Sequence, residues 1–403
     1  MFDFLKGRKK YPVVYKRPEH CISRKNIDRE ALIVLYRLSQ LGYTAYLVGG
    51  GVRDLLLGRV PKDFDVGTSA RPEEVKKAFR NCFLIGRRFR LAHVRFGEKI
   101  IETATFRRES QTVGEIIERA SEGPFEDNTF GCPETDAHRR DFTVNGLFYD
   151  IKDFSVIDYV GGMKDLKRKI IRTIGNPEIR FQEDPVRMMR AIKFSSRLGF
   201  KIESKTVAAM KKYHKCILNA SLPRVCEEIF RLFSYGHSAA AFLSMYECGM
   251  LGDLLPELAA FINRDGGRRS STFKYLKTLD KYEEMMASRG FEVSNALRAA
   301  VLMTAMFRAK KKDGSARPVM QAMMQSIKIP KVVYFKAVML MESMRRLGQS
   351  PASGKRRFIY NRDFLDALDY NRIVLRTEKR DEGILNEWAN LYEEKGNSNE
   401  PQE

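Results

Sequence analysis

The chain has 403 residues, of which 72 are Lys or Arg and 51 are Asp or Glu, giving a formal net charge of +21. Hydrophobic residues make up 43% and charged residues 31%. That is too apolar for a disordered chain, and the length suits two or three packed domains. No stretch approaches the ~18 uninterrupted apolar residues of a membrane span, and the start, MFDFLKGRKKYP, lacks the apolar core of a secretory signal. The expectation is a cytoplasmic protein with no membrane partner. Cysteines 21, 82, 132, 216, 226 and 248 are widely spaced with no CxxC pair, which argues against zinc and a disulfide framework.

Residues 1–28 read as a basic, patternless extension. A helical pattern begins near Arg29 (EALIVLYRLSQLG) and stops at Gly42. TAYLV (44–48) reads as a strand, GGGVRDLLLG (49–58) as a glycine turn opening a short helix, and DFDVGTS (63–69) as a short strand. PEEVKKAFR (72–80) is a helix with acids in its first turn. Strand-like runs follow at 91–96 and 99–106, joined by a hairpin turn at 97–99. After Pro177 the strand patterns disappear. Helices are expected over 184–198, 204–215, 223–235, 238–248, 273–287, 294–309, 318–326 and 331–347, with candidate hinges at 264–271 and 348–354. The tail after Glu393 is acidic and expected to fray. The organisation is therefore an extension (1–28), an α+β head (29–175) built on a small mixed sheet with helices, and an all-α neck (176–262) and body (263–403).

The charge is unevenly spread. Residues 308–357 hold thirteen Lys/Arg against Asp313 and Glu342 alone, a net +11. A pI near 9.7 with such a cluster points to a polyanionic partner, nucleic acid first. Lys310, Lys311, Lys312, Arg356 and Arg357 are its densest groups. Tyr334, Phe335, Phe358 and Tyr360 lie among these cations, where each either stacks on an unpaired base or belongs to the core.

Chemistry concentrates upstream. In a strand, residues two apart share a face, so Asp63 and Asp65 project side by side. Adjacent carboxylates repel unless a cation or a proton sits between them, and Mg²⁺ suits carboxylates shared with phosphates. Gly49, Gly50 and Gly51 stand at a strand-to-helix turn, where phosphate oxygens can approach backbone N–H groups, and Arg53 follows within a turn. Glu102 is the only acid of the run IIETATFR. It faces either solvent or the aspartates; in the latter case it helps deprotonate a hydroxyl in a two-metal displacement at phosphorus. Asp184 and Arg187 of EDPVR, three residues apart, are expected on one helix face.

LVGGGVRDLLLG, KDFDV, RRDFTVNGLFYD (139–150), DYVGGMKDL (158–166) and EDPVRMMRAIKF (183–194) resemble, in order, the motifs of class II tRNA nucleotidyltransferases and bacterial poly(A) polymerases, of the DNA polymerase beta superfamily. The resemblance implies a nucleotidyltransferase head using two Mg²⁺ ions and ATP. It implies that Asp63 and Asp65 bind metal, that Gly50, Arg53 and Arg140 contact nucleotide phosphates, and that Asp141 lies near the ribose. It also implies that Asp184 and Arg187 read the incoming base and that Arg190 is a further nucleotide contact. Two side chains can imitate a Watson–Crick partner: a carboxylate accepts from the adenine amino group while a guanidinium donates to a ring nitrogen.

LIGRRFRLAHV (84–94) and RRFIYNRDFLDALDYNRI (356–373) are similar to segments of bacterial poly(A) polymerases, which favours AMP addition to RNA 3′ ends, including mRNA and decay intermediates. A CCA-adding or A-adding tRNA enzyme is the alternative, and a catalytically inactive RNA-binding protein a third reading. The tailing reading brings RNA-decay proteins as possible partners.

Overall fold

The computed structural model describes residues 11–86, 90–108, 130–234, 236–309, 314–351 and 356–397. Among them no helix is long and apolar enough to cross a membrane. The chain divides into two units, Met1–Pro177 and Glu178–Glu403.

The first unit is built on an eight-stranded sheet, in the order β1-β8-β7-β2-β3-β6-β5-β4. The strands are β1 (Val13–Tyr15), β2 (Ala45–Val48), β3 (Asp65–Thr68), β4 (Cys82–Ile85), β5 (Leu91–Phe96), β6 (Lys99–Thr105), β7 (Leu147–Tyr149) and β8 (Val156–Asp158). All neighbours are antiparallel except β3 and β6. Helix α1 (Arg29–Gln40) buries Ala31, Val34, Leu35 and Leu38, a one-sided stripe at helical spacing. It ends before Gly42, whose φ is +86°. Helix α2 (Gly50–Leu56) opens directly from the glycine turn, α3 (Pro72–Ala78) starts on its proline, and α4 (Pro133–Arg139) and α5 (Gly162–Arg168) complete the unit.

The N-terminal extension differs from its reading. Residues 13–15 pair with β8 and form the sheet's edge strand, and Ile22 and Ile27 are buried. Three residues are too few for a periodic signal, and an edge strand is specified largely by its partner.

The second unit is helical. It runs through α6 (Pro177–Glu183), α7 (Val186–Leu198), α8 (Ser204–Tyr213), α9 (Leu222–Arg231), α10 (Ser238–Glu247), α11 (Met250–Leu254), α12 (Pro256–Arg264), α13 (Ser271–Ser288) and α14 (Asn295–Ala309). It continues through α15 (Arg317–Ile327), α16 (Lys331–Glu342), α17 (Met344–Leu347), α18 (Phe364–Glu378) and α19 (Gly383–Asn397). Helix α14 is buried along almost its whole length between α13, α16 and α18. The single tryptophan, Trp388, is fully buried on α19, and its indole N–H donates to the Gln349 carbonyl at 2.9 Å. The acidic tail is therefore helical through Asn397 rather than frayed after Glu393. The expected 331–347 helix breaks at Ser343, which lies between α16 and α17.

Candidate active site

Residue pairing across the sheet assembles a polar row. Val48 pairs with Asp65, and the parallel register Val66–Thr103 sets Asp65 beside Glu102. Glu102 then pairs with His93, and His93 with Phe83. Cross-strand partners share a face, so Asp65, Glu102 and His93 line one surface of the sheet, with His93 Nε2 3.8 Å from Glu102 Oε1. Asp63 differs from the expectation of two aspartates on one strand: β3 begins at Asp65, and Asp63 stands exposed ahead of it. Its carboxylate still acts on Asp65 electrostatically. Burial first, then the charges of Glu102 and Asp63, push the Asp65 carboxyl up to about 6, against an opposing pull from Arg140.

Gly49 closes this site from the other side. Its φ is +72°, a left-handed conformation that favours glycine. A β-carbon there would lie 3.0 Å from Arg140 Nη1 and 3.9 Å from Asp65 Oδ2. The turn thus leaves open a space flanked by a guanidinium and a carboxylate. Gly50 is next to Arg53: a β-carbon there would lie 3.5 Å from Arg53 Nη2.

Two buried networks hold the arginines. Arg140 donates through Nε (3.1 Å) and Nη2 (2.9 Å) to Asp136 Oδ2, and its guanidinium lies 5.3 Å from the Phe148 ring centre. Asp136 is buried and also accepts from Arg139 Nε at 2.8 Å. The charges of these two arginines hold its carboxyl below the usual carboxylate range despite burial. Arg53 is only 2% exposed, which places it inside the fold rather than on the open face of the turn. It donates to Asp54 Oδ1 at 2.8 Å and to Asn145 Oδ1 at 2.6 Å. Asn145 in turn donates through Nδ2 to Asp141 Oδ1 at 3.0 Å, and its carbonyl accepts from Arg140 Nη1 at 3.5 Å. One asparagine therefore ties Arg53, Asp141 and Arg140 together. Sequence reasoning does not single out Asn145, Asp136 or Asp54. Asp54 and Asn145 have no signal beyond a place inside the quoted motifs and Asp136 lies just ahead of one, because a side chain that acts by holding another carries no chemical signature of its own.

In the second unit, Asp184 falls between α6 and α7 rather than on the helix. Its Oδ1 accepts from the Val186 N–H at 3.3 Å and its Oδ2 from Arg224 Nη2 at 3.0 Å. Arg187 turns towards Glu183 Oε2 (3.3 Å) and the Arg180 carbonyl (3.4 Å). Asp184 and Arg187 are thus close in the chain, but each is engaged with another group. Arg190 lies 3.9 Å from Glu228 Oε1 and 5.3 Å from the Phe194 ring centre. Lys310, Lys311 and Lys312 lie outside the described residues, as do 87–89 of the GRRF run and 352–355 of the second candidate hinge. Arg356 and Arg357 open a 3₁₀ turn, with Arg357 exposed. Two cations of the basic stretch are neutralised: Arg308 by Glu378, and Lys336 by Asp363 and Asp366. Tyr334 and Phe358 belong to the core, whereas Phe335 and Tyr360 are exposed.

Among the described residues, no three His, Cys, Asp or Glu side chains are grouped closely enough to enclose a metal ion. A pair of crowded carboxylates is nevertheless the donor set Mg²⁺ takes when phosphates and water complete its shell. Burial and the neighbouring carboxylates raise the Asp65 carboxyl even with Arg140 nearby, so a further cation is favoured there. Metal affinity is therefore expected to fall about tenfold per pH unit below ~6, where Asp65 is protonated. Titrating Mn²⁺ or Mg²⁺ between pH 5 and 8 checks this; an affinity flat across that range would contradict it.

Comparison with known proteins agrees with this geometry. A family model described as the poly A polymerase head domain matches residues 45–172. A second, described as the probable RNA- and SrmB-binding site of polymerase A, matches residues 199–262. Poly(A) polymerase I of Escherichia coli is 48% identical over 259 residues, 63% of this chain and 55% of that protein. The CCA-adding enzyme of Lactobacillus helveticus is 41% identical over 213 residues, 53% of this chain and 52% of that enzyme. The chain spans about half the length of these curated relatives. The crystal structure of the Bacillus stearothermophilus CCA-adding enzyme in complex with CTP superposes with a TM-score of 0.68 at 28% identity, covering 92% of this chain and 82% of that one. The first unit thus matches a poly A polymerase head domain over residues 45–172, and the second matches a probable RNA-binding segment of polymerase A over residues 199–262.

Proposed function

We propose that the protein adds AMP from ATP to RNA 3′ ends without a template, as a poly(A) polymerase. The observation that carries this reading is Asp65, set between the Gly49 turn with Arg140 and the carboxylates Glu102 and Asp63, in a chain 48% identical to Poly(A) polymerase I over 259 residues. Asp63 and Asp65 would hold Mg²⁺, two ions in this reading, which supply charge neutralisation at the transferring phosphoryl group. Arg140, fixed by Asp136, is placed to bind the triphosphate at the glycine turn. Glu102, beside Asp65, is the acceptor for the proton of the attacking 3′ hydroxyl. Arg53 acts from below, holding Asn145 and through it Asp141 on the ribose side. The substrates are RNA 3′ ends in the cytoplasm, from mRNA, decay intermediates or tRNA. RNA-decay proteins are the expected partners, in keeping with the SrmB-binding description of the matched segment.

Base choice is assigned to Asp184 and Arg187, with Arg190 as a further contact. To read adenine, Asp184 releases Arg224 and Arg187 releases Glu183. Arg187→Ala is expected to lose preference for ATP over other nucleotides by about 1–3 kcal/mol, the worth of one good bidentate base contact. Single-nucleotide competition assays measure it; undiminished preference would place base choice elsewhere.

The fold shared with CCA-adding enzymes over 92% of the chain supports a second reading, addition of CCA or A to tRNA. One assay separates the two. The protein is incubated with Mg²⁺, each nucleotide singly, and either an unstructured RNA or a tRNA lacking its 3′ end. Long tails from ATP alone on unstructured RNA support the polymerase. Addition stopping after one to three nucleotides on tRNA, or use of CTP, supports the tRNA enzyme.

A further inference from the structure

We infer that the body carries its own binding pocket for an unpaired RNA nucleotide, with the base against Phe335 and the phosphate between Arg317 and Arg345. The inference rests on the RNA-directed reading above. It concerns a region beyond both segments matched by the family models, which end at residue 262.

A cavity of ≈ 710 Å³ lies in the second unit between α15, α16 and α17. Its size falls within the ~300–1,000 Å³ range of small-molecule sites. One wall is a single stripe of α16: Phe335, Val338, Met339 and Glu342 follow the i, i+3, i+4, i+7 spacing of one helix face. Phe335 is 61% exposed, unusual for a phenylalanine, and its ring makes an edge-on contact with the buried Tyr334 ring at 5.1 Å. An aromatic ring held from behind and open in front is a stacking platform.

The cations come from the other elements. Arg317 opens α15, and Arg345 and Arg346 belong to α17. Arg346 is committed to the floor, its guanidinium 5.4 Å from the Phe358 ring centre. Among the described residues neither Arg317 nor Arg345 is paired with a carboxylate, in contrast to Arg308 and Lys336 of the same basic stretch. Gly314 shapes the mouth. A β-carbon there would fall 1.1 Å from Arg345 Nη2, so the guanidinium occupies the space a side chain would take.

The one acid in the wall, Glu342, offsets one of the three arginine charges of the lining and leaves it a net +2. Glu342 Oε1 is occupied by the Ser315 hydroxyl (3.2 Å) and the Ala316 N–H (3.0 Å), which fold the 314–316 turn onto α16. The cavity thus combines a net positive lining, with Arg317 and Arg345 free of carboxylate partners among the described residues, and an exposed aromatic ring. That pairing fits a phosphodiester with its unstacked base better than an acidic peptide, which would use the cations and leave the ring idle.

The test is fluorescence anisotropy of a labelled oligo(A) with the full-length protein over a series of salt concentrations. Phe335→Ala is expected to weaken binding about five- to fiftyfold with an unchanged salt slope, and Phe335→Trp to restore it. Arg317→Gln with Arg345→Gln is expected to flatten the slope of log K against log salt by about 1.4, since each single-strand phosphate no longer neutralised removes about 0.7. Both sets replace exposed or mouth-lining groups, and matching circular dichroism and melting curves confirm the fold. Unchanged affinity in Phe335→Ala, or competition by oligoglutamate or free AMP as effective as by oligo(A), would overturn the pocket. Failure of the wild type to extend RNA with ATP would instead overturn the polymerase reading, so the two failures are distinct.

Discussion

Asp65→Ala should lower nucleotide addition by three or more orders of magnitude while leaving RNA affinity within about twofold, since it removes charge only where the transition state needs it. The same position makes an opposite prediction for stability. A carboxyl whose folded pKa stands at about 6, above its ordinary value of 3.8, binds its proton more tightly in the folded state than in the unfolded one. Its ionisation therefore costs stability at every pH above ~6, and the cost fades as pH falls from 6 towards 4. Asp65→Asn keeps the shape, removes the charge, and should raise stability by about 2 kcal/mol at pH 7–8 in metal-free buffer, with the gain vanishing near pH 4. Activity and melting temperature thus move in opposite directions. A mutant that loses both would mean that Asp65 is a packing residue, and one that keeps more than a tenth of the activity would remove it from the chemistry. Asp63→Ala should show the same catalytic loss with a smaller gain in stability, because Asp63 is exposed.

Asp136→Ala should have the second largest effect, and on stability first. Asp136 is buried and bonded to both Arg139 and Arg140. Its removal takes away the carboxylate both half-buried guanidinium groups share, a change that costs about 1–3 kcal/mol when water can partly replace it. Arg140 would also be released from the carboxylate that holds it beside Gly49. Addition at saturating RNA should then fall, with KM for ATP rising more than kcat falls, because triphosphate binding is the role assigned to Arg140. Denaturation curves and ATP titrations on the same preparation check both. A destabilisation of under about 1 kcal/mol would show that the arginines find other partners.

The parts of the head that are legible in sequence are those whose apolar spacing repeats within one element. Helix α1, strands β2, β5 and β6, and the glycine turn into α2 all stand where periodicity and turn residues place them. Strands β1, β7 and β8 have three residues each, too few for a period, and their positions are decided by partners far along the chain. Helix α12 begins on Pro256, a start signal in the sequence, whereas the amphipathic helices α18 and α19 carry no proline at their first position.

The same division runs through the site. Asp65, Arg140 and Glu102 can be proposed because a carboxylate or guanidinium in a polar motif suggests chemistry. That Glu102 faces Asp65 follows only from the β3–β6 register, which no local pattern encodes. Spacing alone puts Asp184 on a helix, but Pro185 breaks the run there, and the carboxylate caps the start of α7 instead. Arg53 resembles a phosphate contact because it follows the glycines. Its burial against Asp54 and Asn145 is a tertiary fact, and the asparagine lies in a segment far downstream.

The lone parallel pairing in the sheet also bears on when the site comes into being. Antiparallel neighbours such as β5 and β6 can zip from a turn, but β3 and β6 are joined only after the chain has run out through α3, β4 and β5 and returned. Closing that excursion costs chain entropy before any contact repays it. Asp65 and Glu102 therefore meet late in folding, and Arg140 and Asn145 arrive from further along still. A chain emerging from the ribosome holds Asp65 and Glu102 apart until β6 has docked beside β3, so the carboxylate pair exists only once that part of the head has folded.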